Sequence, residues 1–207
     1  MLITFEGIDG SGKSTQARKL AETLGERGAT VRRVREPGGA DLSERIRAIL
    51  LDPEVPIADR AELLLFSAAR AQLVDEVIRP ALDAGEVVIA DRFYDSSTAY
   101  QGAGRGLADP AYLDRFHEFV TGGLAPERTY LIDVPLEVAA SRRSRREADR
   151  MEASGEAFYE RVRAGYLALA ERHPDRILVL DGTLSPGALH ACILDDLGAL
   201  APPPRAT

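Results

Sequence analysis

Gly7-Ile8-Asp9-Gly10-Ser11-Gly12-Lys13-Ser14 meets the pattern G-x-x-x-x-G-K-[ST] at every fixed position. The chemistry this spacing serves is the cradling of a nucleoside polyphosphate. Glycines let successive backbone N–H groups turn inward around phosphate oxygens, and the N-terminus of a following helix adds partial positive charge. The Lys13 ammonium then reaches the β and γ phosphates, and the Ser14 hydroxyl ligates Mg²⁺. Lys13 is conspicuous because Lys13 and Lys19 are the only lysines among 26 basic residues.

A second acid belongs near the metal, at the end of a neighbouring strand, and Asp91 closes the apolar run Val87-Val88-Ile89-Ala90. Arg92 beside it can grip a phosphate with two parallel N–H bonds. Further cations stand in Arg142-Arg143-Ser144-Arg145-Arg146-Glu147-Ala148-Asp149-Arg150, with five arginines in nine residues. Such a stretch repels itself unless an anion neutralises it, so residues 142–152 read as a mobile lid that brings arginine to the phosphates on closure.

These groups need a scaffold. Leu2 to Glu6 reads as a buried strand stopped by Gly7, followed by a helix over Ser14 to Gly25 with Ala17, Leu20, Ala21 and Leu24 on one face. Thr30 to Arg35 reads as a second strand, and Asp41 is placed to cap a helix through Leu51 with Glu44 at capping-box spacing. A long helix spans Asp59 to Ala84, where Pro80 kinks or ends it. Strands follow at Val87 to Asp91, Thr129 to Val134 and Arg176 to Asp181, with helices at Leu136 to Arg143, Glu156 to Arg172 and Ser185 to Leu200. Alternating strands and helices predict an α/β fold with a doubly wound, mostly parallel sheet in one domain over residues 1–200, and residues 201–207 as a disordered tail.

With 207 residues, 45% apolar and 29% charged, the chain can bury a core and is not a disordered one. The net charge of −7 argues against non-specific binding of polymeric nucleic acid. No apolar run approaches the length of a membrane span, and the N-terminus lacks a secretory pattern, so a cytoplasmic location is expected. Cys192, the single cysteine, is expected to be a small buried apolar residue. Absence of asparagine rules out the guanine-reading N-K-x-D motif of Ras-like switches.

Four segments carry a more specific likeness: Phe5 to Thr15, Arg35-Glu36-Pro37-Gly38-Gly39, Phe66-Ser67-Ala68-Ala69-Arg70, and Asp91-Arg92-Phe93 with Ser96 to Gly102. In this order they resemble the thymidylate kinase family, over nearly the whole chain. The resemblance implies a P-loop fold with a five-stranded parallel sheet, transfer of the ATP γ-phosphate to dTMP on the route to dTTP, Mg²⁺ as cofactor, and a homodimer.

The same resemblance implies roles. ATP meets residues Gly7 to Ser14 and Thr15. Glu36, Pro37, Phe66, Arg70, Arg92, Ser97, Tyr100 and Gln101 line the dTMP site, with Phe66 stacked on thymine and Arg70 at its carbonyl edge. Tyr100 crowds the 2′ position against ribonucleotides. Asp9 binds the sugar 3′-hydroxyl or acts near the metal. Because Gly10 and Ser11 leave the loop without a basic group, the chain is similar to the bacterial type whose cation comes from the lid, and Arg146 or Arg142 is the expected donor. Lys13, Asp9, Arg92, Arg142 and Arg146 are thus the catalytic candidates, and Ser14 and Asp91 the metal ligands. The rivals are a deoxynucleoside kinase, a nucleotide-responsive regulator that transfers nothing, and a stand-alone ATPase.

Overall fold

Five short strands form a wholly parallel sheet in a computed structural model that describes residues 1–143 and 155–199. They are β1 Leu2–Glu6, β2 Val31–Arg35, β3 Val87–Asp91, β4 Arg128–Asp133 and β5 Ile177–Asp181, in the order β2-β3-β1-β4-β5. β1, buried at every position, lies between β3 and β4, with Ile3 opposite both Ile89 and Arg128. Of the expected lid, residues 142–152, all positions after 143 lie outside the described residues, and so does the tail.

Side chains alternate across the sheet and two helical layers take up the two sets. On one face Ile3, Phe5, Ile89 and Tyr130 pack against Leu20 of α1 (Lys13–Glu26) and Ile193 of α9, Pro186–Ala199. On the other face Leu2, Val88 and Ala90 meet Leu73 and Ile78, and Leu131 meets Val162 and Leu169 of α8, Glu156–Arg172. The doubly wound α/β architecture is therefore as expected.

The long helix expected over residues 59–84 is interrupted. It runs as α3 (Asp59–Leu73), a π turn at Val74–Ile78, and α4 (Arg79–Asp83). Pro80 is the reason: it has no N–H to give Glu76, and its ring crowds that carbonyl, so the helix widens just before it.

Two further expectations are corrected. Ala40, not Asp41, is the N-cap of α2 (Asp41–Leu51), and no side chain caps it. Glu44 instead turns back to accept the Gly39 N–H at 2.7 Å and pairs with Arg35 at 3.0 Å. Cys192 is exposed, because the buried stripe of α9 is Leu189, Ile193 and Leu197, a spacing of four that leaves position 192 off the stripe.

Candidate active site

β1 and β3 are neighbours in the middle of the sheet, and both deliver their C-terminal ends to one cavity of about 510 Å³. Parallel sheets bind ligands at this end, where connections diverge to either side of the central strand. The loop after β1 returns to α1 through Gly10 and Gly12, at φ 87° and 105°. A Cβ on Gly10 would lie 2.6 Å from the Ala139 carbonyl of α7 (Leu136–Arg143), so the tip of the loop is pressed against the helix that leads to the lid. Only glycine combines that backbone with that approach.

Lys13 is folded back over this loop. Its ammonium donates to the Ile8 carbonyl at 2.8 Å. Burial, and next the Arg92 guanidinium, pulls it down to about 8 from the ordinary 10.5, although Asp9, Asp91 and Glu6 pull the other way. Ser14, in the first turn of α1, donates its hydroxyl to the Asp91 carboxylate. These two oxygen donors suit a hard divalent cation that keeps most of its shell for phosphates and water.

Arg92 stands between the loop and the rest of the cavity. It donates to Asp9 Oδ1 at 2.7 Å, the Gly7 carbonyl and Tyr166 at 3.1 Å, Ser96 at 3.0 Å and Tyr100 at 3.1 Å. Tyr100 in turn donates to Asp9 Oδ2 at 3.0 Å. Burial alone would raise the Asp9 carboxyl, but Arg92 and Lys13 hold it well below the usual carboxylate range. Asp9 is thus an anion that orders cations, as much as a group awaiting a hydroxyl.

Behind Arg92 lies Glu6, wholly buried at the end of β1. It accepts the Phe93 N–H at 2.7 Å, the Ser96 hydroxyl at 2.6 Å and the Tyr166 hydroxyl at 2.8 Å. Burial, then Asp95, pushes Glu6 up to about 7.

The far half of the cavity is built on α3. Phe66 is half-buried there against Ile46, Leu50 and Ala69, with Arg70 one turn on. Arg70 is 1% exposed and grips Glu36 at 2.7 Å, donates to Ser97 at 3.1 Å and reaches the Phe93 carbonyl at 3.3 Å. A π turn at Thr98–Gly104, after α5 (Tyr94–Ser97), brings Tyr100 and Gln101 round to the same space. Pro37 and Thr15 line it as well.

The predicted residues that face the cavity are therefore Asp9, Gly10, Gly12 to Thr15, Glu36, Pro37, Phe66, Arg70, Asp91, Arg92, Ser97, Tyr100, Gln101 and Arg142. Ile8 is drawn into the core instead, Ser11 is buried behind the loop, and Gly7 meets Arg92 through its carbonyl. Arg146 lies outside the described residues. Arg142 donates to the Gly10, Ser11 and Gly182 carbonyls at 3.4, 3.3 and 3.0 Å, so one lid arginine lines the cavity while bonded to the loop backbone.

Sequence reasoning passed over Ser96 and Arg47, which also line the cavity, and Glu6 and Tyr166 behind it. Glu6 and Ser96 stand within the matched segments and carried that signal. Tyr166 carried none, since only the fold brings α8 to Arg92.

Comparison with known proteins matches this geometry. The thymidylate kinase family profile fits residues 5–193. A thymidylate kinase of Chlorobium chlorochromatii is 47% identical over 95% of this chain and 94% of its own. One from Kosmotoga olearia is 50% identical over the same shares. The crystal structure of thymidylate kinase from Ehrlichia chaffeensis superposes with a TM-score of 0.77 at 36% identity, covering 96% of this chain and 98% of that one. With its phosphate loop, its acid at the end of β3 and its profile match over nearly all residues, the chain belongs to the thymidylate kinase family.

Proposed function

We propose that the chain transfers the γ-phosphoryl group of ATP to dTMP, giving dTDP and ADP. One observation carries this reading: the phosphate loop and the flat-base elements Phe66 and Arg70 line a single cavity, with Arg92 bonded to the loop between them. A phosphate donor and a nucleotide acceptor can then meet without leaving the site.

In this reading ATP phosphates lie along residues 7–15 under Lys13, and the dTMP phosphate is held by Arg92. Phe66 offers thymine a face and Arg70 an edge donor. A dTMP phosphate oxygen attacks the γ phosphorus in line, the bond to the β-phosphate oxygen breaks, and ADP leaves with that electron pair. No covalent enzyme intermediate is required. Lys13, Arg92 and a lid arginine offset the charge that spreads over the transferring group, so positioning and electrostatics do the catalysis. Ser14 and Asp91 would hold Mg²⁺, which would supply charge neutralisation to the ATP phosphates.

The reading includes a homodimer in the cytoplasm. Exposed Leu42 and Ile49 on α2, Leu64 on α3, and Phe119, 84% exposed on α6 (Pro110–Thr121), supply apolar surface for a second copy. Among the described residues no helix is long and apolar enough to cross a membrane.

The test offers ATP and Mg²⁺ with dTMP, dUMP, thymidine or no acceptor, and resolves the nucleotides by chromatography. Equal dTDP and ADP from dTMP, with little product from thymidine, is the expected result. Equal ADP without acceptor means an ATPase, and binding without turnover means a regulator.

A further inference from the structure

Arg70 can only donate a hydrogen bond, whereas the amide of Gln101 donates at one end and accepts at the other. Which end faces the cavity decides which bases it welcomes. Gln101 is 2% exposed, and its Nε2 donates to Glu62 Oε1 at 2.9 Å. Glu62, on α3 and 0% exposed, also receives Arg105, through Nε at 3.3 Å and through a terminal nitrogen at 3.1 Å. Arg105 itself is anchored over the Phe158 ring at 4.9 Å and against Asp59 at 3.4 Å.

Both Glu62 oxygens accept from Arg105, so the group faces Gln101 as an acceptor. The amide can then meet it through Nε2 alone, because turning the carbonyl toward Glu62 would press two acceptors together in a dry interior. We propose that Glu62 is a positioning residue that sets base specificity: by holding Gln101 Nε2 it commits the amide carbonyl to the cavity. A pyrimidine with N–H at ring position 3, thymine or uracil, is thereby preferred over cytosine, which presents a bare nitrogen there. The thymine methyl plays no part in this device, so uracil and thymine are treated alike by it. The inference rests on the cavity being the dTMP site.

The experiment compares kcat and KM of the unaltered enzyme and of Glu62→Gln for dTMP, dUMP and dCMP, with melting temperatures alongside. A neutral amide at position 62 tolerates either end of Gln101. The preference in kcat/KM for dTMP over dCMP is expected to fall by about tenfold or more, since a mispaired buried polar group is what rejects the wrong base. The ratio of dTMP to dUMP stays constant, and the loss falls on KM for dTMP rather than on kcat. A folded Glu62→Gln enzyme with an unchanged dTMP-to-dCMP preference, or with a uniform loss on all three nucleotides, overturns the proposal.

If Glu62→Gln does not fold, Gln101→Met decides. It keeps the shape and removes the carbonyl, so the same preference is expected to fall, and its retention overturns the proposal. Unaltered protein that makes no dTDP from dTMP overturns the proposed function together with this inference, whereas an active enzyme indifferent to both substitutions overturns the inference alone.

Discussion

Arg92 is bonded to Asp9 across 2.7 Å while its own backbone sits at φ 74°, the one non-glycine residue at positive φ among the described residues. A side chain in that region is strained and persists only where its surroundings hold it. Five hydrogen-bond partners on Asp9, Gly7, Ser96, Tyr100 and Tyr166 do so here. With this backbone the guanidinium meets Gly7 and Asp9 of the phosphate loop, where an acceptor phosphate would need it.

Arg92→Ala and Arg92→Gly both remove those bonds and differ only in the backbone. Each is expected to cut kcat/KM for dTMP by at least about 100-fold, the scale of one preorganised donor lost. Arg92→Gly is expected to be the more stable of the two by about 1 kcal/mol, since glycine accepts positive φ without cost. Chemical denaturation of the pair gives the difference, and equal stabilities would show that φ 74° is unstrained.

Glu6 predicts a pH dependence of stability. Burial, then Asp95, raises it from 4.5 to about 7, so between these values the folded chain binds more protons than the unfolded one. Its contribution favours the fold below pH 4.5 and is lost as pH rises through 7. Relative to Glu6→Gln, the unaltered protein should therefore lose stability from pH 4.5 to 7 and then level off. Parallel urea titrations measure the gap, and one that stays constant across the range refutes the shift.

Much of this was legible in the sequence because the phosphate loop is local: the whole motif, Gly7 to Ser14, runs from the end of one strand into the first turn of one helix. Leu2 to Glu6 and Val87 to Asp91 were readable to the residue, since strands covered on both faces are continuously apolar. What escaped was whatever the fold assembles from distance. Tyr166 meets Glu6 and Arg92 only because α8 lies across the sheet, and Glu62 meets Gln101 only through a π turn that no residue pattern announces. The failed cap at Asp41 has a local origin instead, as the helix starts one residue earlier than expected and Glu44 is claimed by Arg35 and Gly39.

The lid predicts a division of labour between arginines. Arg142 lines the cavity and is bonded to the carbonyls of Gly10, Ser11 and Gly182. A cation acting on the transferring group is worth about 10³ to 10⁵ in rate. Single alanine substitutions at Arg142 and Arg146 should separate a phosphate contact, which lowers kcat, from a loop support, which raises KM for ATP. If neither slows turnover by about tenfold, the lid does not supply the cation.

Lys13 gives the sharpest linkage. Lys13→Ala is expected to abolish turnover while leaving the fold, because among the described residues its ammonium donates to the Ile8 carbonyl at 2.8 Å and Ser11 at 3.5 Å and to no other group. In the free enzyme burial, then Arg92, lowers it to about 8 from 10.5, so the unfolded chain binds more protons between those values. Stability therefore rises with pH from 8 to 10.5, and Lys13→Ala should flatten that rise. Polyphosphate has the opposite effect on the same group: an anion beside the ammonium restores its charge. ATP binding just above pH 8 should thus take up a proton, measurable as a difference in binding heat between two buffers of unlike ionisation enthalpy. Proton uptake that persists in Lys13→Ala would place the titrating group elsewhere, and no uptake in the unaltered enzyme would mean that Lys13 is already fully charged before ATP arrives.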